Sequence, residues 1–225
     1  MTVLVAGGTG ALGTAVVREL VDVGHHCTLT WIVDRERERI ESELGEGVTL
    51  VRADLTDPAG AEAAVAAVDD LEAVVNLVGG YSQGPRVHET DPDDFRRMID
   101  LNLTPAFLLA RAAIPRLLER GGGAYVGVSA RAALRPFAGA AGYVAGKAAL
   151  LAFVQALDAE YKHDGIRANA ILPSVIDTPA NRSSQPDADT SKWVDPRDIA
   201  KVVRFLLSDD SRTVTGAAVP VYGRA

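Results

Sequence analysis

Val3-Leu4-Val5-Ala6-Gly7-Gly8-Thr9-Gly10-Ala11-Leu12-Gly13, continued by Thr14-Ala15-Val16-Val17-Arg18-Glu19-Leu20, is the stretch on which the reading of this chain turns. The opening apolar run reads as a strand, the glycines as a tight turn and residues 15–20 as a helix. Strand, glycine turn and helix in that order are what a phosphate-binding loop requires. Glycines let the backbone turn sharply and come close to a pyrophosphate, and a helix N-terminus offers unpaired N–H groups and positive dipole. An ordinary glycine-rich turn is the alternative, and the rest of the chain decides between the two.

The pattern repeats downstream. Residues 26–33, 48–52, 73–78, 124–128, 167–172 and 217–221 read as further strands. Residues 34–44, 59–68, 91–119, 143–161 and 196–207 read as helices, the fourth opening at Tyr143. Asp91-Pro92 forms an N-cap and first-turn pair. Strands alternating with helices predict an α/β, Rossmann-type doubly wound parallel sheet of about seven strands, helices on both faces and ligands at the strands' carboxyl ends. Pro105 lacks the N–H that would bond back to Leu101, so a bend or restart of the helix is expected around Asn102. An Asn satisfied by local backbone bonds is the other reading of that residue. Residues 178–195, rich in Ser, Asp and Pro and without periodicity, read as a loop that closes over a substrate or as a plain surface loop.

Composition narrows the function. A length of 225 residues with 48% hydrophobic content suits a single domain spanning 1–225. A formal charge of -7 argues against a nucleic-acid partner. No apolar run is long enough to span a membrane and no basic-then-apolar leader opens the chain, so a cytoplasmic location is expected. The lone Cys27 sits in a strand-like run and reads as a buried, inert thiol. No metal site is expected.

One further constellation carries chemistry. Tyr143 and Lys147 stand four apart in a helical segment, on one face, and a fixed positive charge beside a phenol lowers its pKa toward the working range of a proton donor. Ser129 lies at the carboxyl end of the fifth strand.

Taken together, these features resemble the short-chain dehydrogenase/reductase family over essentially the whole chain. The likeness rests on Gly7, Gly10 and Gly13, on Asp54 after the third strand, on residues 76–79 and Asn102, on Ser129 with Tyr143-x-x-x-Lys147, and on residues 173–178. It implies a nicotinamide cofactor held by Gly7, Thr9, Gly10, Leu12 and Gly13 at the pyrophosphate and by Asp54 and Leu55 at the adenine. Asn76 and Gly79 would line the adenosine side and Lys147 the nicotinamide ribose, with Arg35, Tyr143, Pro173, Ile176 and Thr178 completing the set. In the implied reaction Ser129 bonds a substrate carbonyl, Tyr143 donates the proton, Lys147 keeps the phenol acidic and Asn102 holds a water leading to solvent. The substrate is a small ketone, aldehyde or quinonoid molecule, and self-association as a dimer or tetramer follows family habit.

Residues 78–81, 132–134 and 172–182 also resemble dihydropteridine reductases, which work with NADH on a quinonoid pterin. That subgroup lacks the serine and asparagine present here as Ser129 and Asn102. Its acidic residue after the second strand falls opposite Trp31. Leu77 and Ser174 depart from the wider family's Asn and Gly. Whether the cofactor is NADP or NAD is read from the end of the second strand, where Asp34 favours a free ribose and Arg35 and Arg37 a 2'-phosphate, tilting toward NADPH. A non-catalytic protein that senses NAD(P) is the alternative of another class.

Overall fold

The computed structural model describes residues 1–224, apart from the side chain of Glu46; Ala225, the last residue of the expected domain, lies outside the described residues. Strands β1 (Thr2–Ala6), β2 (His26–Trp31), β3 (Val48–Arg52), β4 (Ala73–Asn76), β5 (Gly123–Val128), β6 (Ile166–Pro173) and β7 (Ala218–Val221) make one sheet. Its order is β3-β2-β1-β4-β5-β6-β7 and every neighbouring pair is parallel. Successive strands run outward from β1 on one side and from β4 on the other. The crevice between those two carboxyl ends is therefore the switch point where such sheets bind ligands.

Both faces are covered, and β1 shows why. Val3 and Val5 face a cluster with α1 (Ala11–Asp22), α2 (Asp34–Leu44) and α7 (Pro196–Leu207), whereas Leu4 and Ala6 face one with α3 (Pro58–Ala66), α4 (Pro92–Glu119) and α5 (Ala141–Tyr161). All four side chains are fully buried. Burial contributes about 1.5–3 kcal/mol for each Val or Leu, which fixes the register of the strand that leads into the glycine loop. On the second face α4 and α5 approach closely because Gly146 presents no side chain. A Cβ there would come within 2.9 Å of the Met98 carbonyl oxygen and 3.0 Å of the Asn102 Cβ.

Two local expectations are corrected. α4 runs unbroken for 28 residues through Pro105 and Pro115. Pro105 is buried among the α4 core residues, and that packing carries the helix past the missing bond without a restart. Asp34 lies in the first turn of α2, whose N-cap is Val33, with no side-chain bond. The segment expected to be irregular contains α6 (Pro179–Ser184), capped by the Thr178 hydroxyl, which accepts from the Asn181 N–H at 3.2 Å. Ile176 and Val194 form a parallel bridge across the ends of that segment. Asp91 does cap α4, accepting from the Asp93 N–H at 2.7 Å, with Pro92 at the first helical position. No helix among the described residues is long and apolar enough to cross a membrane, and none of their His, Cys, Asp and Glu groups is arranged to hold a metal ion. Cys27 is buried in β2, and burial pushes its thiol up to about 12.

Candidate active site

The glycine loop fills the turn from β1 into α1. Gly7 has a φ of +73°, a left-handed conformation that favours glycine, and its N–H donates to the Thr30 hydroxyl of β2 at 3.1 Å. A Cβ on Gly13 would strike the Gly7 carbonyl oxygen and lie 2.6 Å from the Gly8 carbonyl group, so the helix can sit against the turn only with glycine there. Gly10 is different. Its φ is -69° and a Cβ would have only the Gly7 oxygen near it, at 3.5 Å. The fold itself does not require glycine at that position; a ligand approaching the backbone would. Gly10 caps α1 without a side-chain bond, and no acidic side chain occupies the first turn, leaving the helix N-terminus open to an anion. Leu12, half-buried, packs against the α1 side of the core.

Two residues missed in the sequence reach this loop from α2. The Thr9 hydroxyl donates to Glu36 at 2.9 Å, and Arg39 donates to the Thr9 carbonyl at 2.5 Å and to the Thr14 hydroxyl at 3.0 Å. Their three-residue spacing puts them on one helical face, the one signal that could have picked them out. Arg35 is exposed and has no hydrogen bond or ion pair among the described residues. Arg37 is tied to Glu41 at 2.6 Å and lies 5.3 Å from the Trp31 ring centroid, with Arg52 at 5.8 Å. At the end of β3, one Asp54 oxygen accepts from the Thr56 hydroxyl at 2.6 Å and the Thr56 N–H at 2.9 Å. These bonds hold the exposed carboxyl below its usual range. Leu55 beside it is buried.

The exit of β4 is arranged differently from the expectation. The Asn76 side chain is buried; its Oδ1 accepts from the Val78 N–H at 3.1 Å, and its Nδ2 has no partner among the described residues. It braces the turn and does not line an open surface. Asn102, fully buried, is likewise spent on backbone: Oδ1 accepts from the Gly80 N–H at 3.1 Å, and Nδ2 donates to the carbonyls of Gly80 at 3.1 Å and Met98 at 2.9 Å. Both of its side-chain groups are thus engaged with backbone, as in the reading of an Asn satisfied by backbone bonds. The amide clamps the Gly79-Gly80 turn.

Ser129 also departs from its expected role. Its hydroxyl is buried and donates to the Lys147 main-chain carbonyl at 2.7 Å, so it is turned into α5 and away from a substrate. The Lys147 ammonium donates to the Val128 carbonyl at 2.9 Å. A Cβ on Gly79 would lie 2.7 Å from both this nitrogen and Asn102 Oδ1, so the absence of a side chain at Gly79 is what admits the ammonium. Burial pushes Lys147 down to about 8. Tyr143 is pushed up to about 12, chiefly by burial and then by the neighbouring Tyr81 phenol. The acidification expected from the four-residue spacing is therefore reversed: desolvation dominates, and the Lys147 ammonium bonds to backbone.

The β6 exit completes the edge. Pro173 ends the strand, Ile176 bridges to Val194, and the Thr178 hydroxyl is engaged as the α6 cap. An open helix N-terminus, a glycine explained by no contact of the fold and a buried ammonium without a carboxylate partner among the described residues together fit an anionic dinucleotide.

Comparisons with known proteins agree. Residues 7–223 match the family described as Enoyl-(Acyl carrier protein) reductase. The chain is 31% identical to 2,5-dichloro-2,5-cyclohexadiene-1,4-diol dehydrogenase LinX of Sphingobium indicum, over 98% of this chain and 94% of that protein. It is 30% identical to 3-alpha-(or 20-beta)-hydroxysteroid dehydrogenase of Mycobacterium tuberculosis, over 98% and 87%. Among solved structures, a short-chain type dehydrogenase/reductase from Mycobacterium ulcerans superposes with a TM-score of 0.93 at 26% identity, covering 99% of this chain and 88% of that one. ElxO with NADP bound shares the fold with a TM-score of 0.91 at 22% identity, covering 99% and 97%. With its sheet order, its glycine loop and relatives matched nearly end to end, the chain is an NAD(P)-dependent oxidoreductase and belongs to the short-chain dehydrogenase/reductase family.

Proposed function

We propose that this protein reduces a carbonyl or quinonoid substrate, with all 225 residues acting as one unit and residues 178–195 as its substrate segment. A bound reduced nicotinamide supplies the hydride. The observation that carries the reading is the buried Lys147 ammonium, with no ion pair among the described residues, one helical turn from Tyr143 on the ligand-binding edge. A buried cation without a counter-ion is costly, and such groups mark functional sites. Tyr143 holds the proton at its phenol oxygen and passes it to the oxygen of the substrate as that oxygen gains charge. Lys147 would hold the ribose hydroxyls of the cofactor and support the proton's replacement. Gly7, Thr9, Gly10, Leu12 and Gly13 hold the pyrophosphate, Asp54 and Leu55 the adenine, and Gly79, Pro173, Ile176 and Thr178 shape the nicotinamide end. Asn76 and Asn102 act through the backbone turns they brace. Two relatives named for a cyclic diol and a hydroxysteroid support ring-bearing substrates. Loss of absorbance at 340 nm with a panel of ketones, aldehydes, quinones and quinonoid dihydropterin tests the reading; no turnover with any of them would overturn it.

For the cofactor we propose NADPH over NADH by a small margin. Arg35 is unengaged beside the β2 exit, and Glu36, bonded to Thr9, is the opposing negative charge. Arg35→Ala is expected to weaken NADPH about three- to tenfold with little change for NADH, and Glu36→Gln to shift preference further toward NADPH. Equal effects on the two cofactors in calorimetric titration would show that neither side chain reads the 2'-position.

The expected location is the cytoplasm. Self-association through α4 and α5 as a dimer or tetramer is the assembly we propose, supported by Phe107, 49% exposed, meeting Phe153 edge to face at 6.2 Å across the two helices. Light scattering should give a mass at least twice 23.7 kDa; a monomeric mass at micromolar concentration would exclude it.

A further inference from the structure

The exit of β4 delivers an aromatic ring to the mouth of the site. Gly80 is held on both its N–H and its carbonyl by Asn102, and a Cβ there would collide with the Leu101 side chain. The chain is thereby forced into one path, and the next residue, Tyr81, sets its ring 5.1 Å from that of Tyr143 at an interplanar angle of 79°. On its other flank Phe137 lies at 6.5 Å with the rings tilted by 36°. The three rings form a continuous wall. The loops that carry them are tied together: the Tyr81 hydroxyl donates to Gln83 at 2.8 Å, Gln83 donates to the Ala138 carbonyl at 3.1 Å, and the Gly84 N–H donates to the Gly139 carbonyl at 2.8 Å.

This wall is tied together by hydrogen bonds and yet uncovered. Tyr81 is 57% exposed and Phe137 43%, although nothing in the packing of the core requires large apolar rings there. Its chemistry is also one-sided. With the Ser129 hydroxyl turned into α5, a substrate oxygen at Tyr143 meets a proton donor and aromatic faces, without a second hydroxyl supplied from β5. Pre-set aromatic surface binds flat rings at little cost in side-chain ordering.

From this geometry we infer that Tyr81 and Phe137 are the specificity-determining residues of the site and select a planar, conjugated ring carbonyl of the quinone class over an open-chain ketone. The inference rests on the reduction proposed above. The reaction it implies is balanced: the quinone takes a hydride from the reduced nicotinamide and a proton through Tyr143, giving the hydroquinone and the oxidised nicotinamide, and Tyr143 regains its proton from solvent. Asn102 is a positioning residue for Tyr81, acting through Gly80.

The test separates ring selection from turnover. Calorimetric binding of menadione and of 2-undecanone, which has the same number of carbons, is measured with oxidised NADP or NAD saturating, so that no hydride is available. The wild type is expected to bind menadione at least about tenfold more tightly, and Tyr81→Ala to shrink the ratio to about threefold or less, with Tyr81→Phe keeping it. A ratio unchanged in Tyr81→Ala, or a wild type that prefers the open chain, would overturn the inference. Because Tyr81 is largely exposed, its substitution leaves the core intact, and an unchanged melting temperature verifies this. Ring selection without NADPH oxidation leaves this inference standing and sinks the reductase reading; oxidation with ring and chain ketones alike, at equal affinity, does the reverse.

Discussion

Tyr143→Phe is expected to lower kcat by about a thousandfold, some 4 kcal/mol of transition-state stabilisation, while leaving the melting temperature and cofactor affinity close to those of the wild type. The substitution removes one oxygen and keeps the ring that packs edge-on against Tyr81. A proton donor must still hold its proton when the substrate arrives, and with its pKa pushed up to about 12 Tyr143 does so throughout the ordinary pH range. The group that titrates within that range is Lys147. Its pKa is depressed to about 8, so its charge is complete at neutral pH and is lost as pH rises through that value. The reductive kcat/KM of the free enzyme should therefore be level below about pH 7 and fall above about pH 8, with Lys147 as the group responsible. Activity that persists in Tyr143→Phe at more than a tenth of wild type would remove the phenol from the mechanism.

Gly13→Ala should be nearly as damaging by a different route. The added Cβ meets the carbonyls of Gly7 and Gly8, both backbone, so no flexible side chain can move aside and the turn itself must open. Overpacking of this kind costs about 1–3 kcal/mol of stability, and the opened turn no longer presents its N–H groups together. Cofactor affinity should drop by roughly a hundredfold. Gly10→Ala supplies the contrast, since its Cβ has room in the fold. It should unfold at the wild-type temperature and still bind NADPH more weakly, because the space it fills is the ligand's. Unaltered affinity in both variants would detach the loop from cofactor binding.

How far the sequence carried can be judged residue by residue. The parallel sheet was legible because β1 and β4 are continuous apolar runs separated by helices, a pattern that burial on both faces imposes. Gly7 and Gly13 were legible because backbone conformation and close approach leave no other residue possible. The direction of a hydroxyl was not: Ser129 stands at the strand exit where the alternation of faces ends, and only the proximity of the α5 backbone decides where it points. The acidity of Tyr143 was misjudged because sequence spacing reports a neighbour but not burial, and burial dominates here. The role of Asn102 needed the tertiary path of Gly80. α6 escaped notice because its six residues carry no apolar periodicity and are held by the Thr178 cap and by Asn181, which donates to the Ile176 carbonyl at 2.8 Å.

The bridge between Ile176 and Val194 has a consequence for how such a protein can change. The Asp177 N–H donates to the Val194 carbonyl at 2.8 Å and the Val194 N–H to the Val175 carbonyl at 2.9 Å, so both ends of the intervening chain are stitched to each other before either joins the rest of the molecule. What lies between them hangs as a cassette with fixed attachment points. If this cassette is the substrate segment proposed above, lengthening, shortening or exchanging it for the corresponding piece of a relative would redraw the pocket while its attachment to β6 stays as it is.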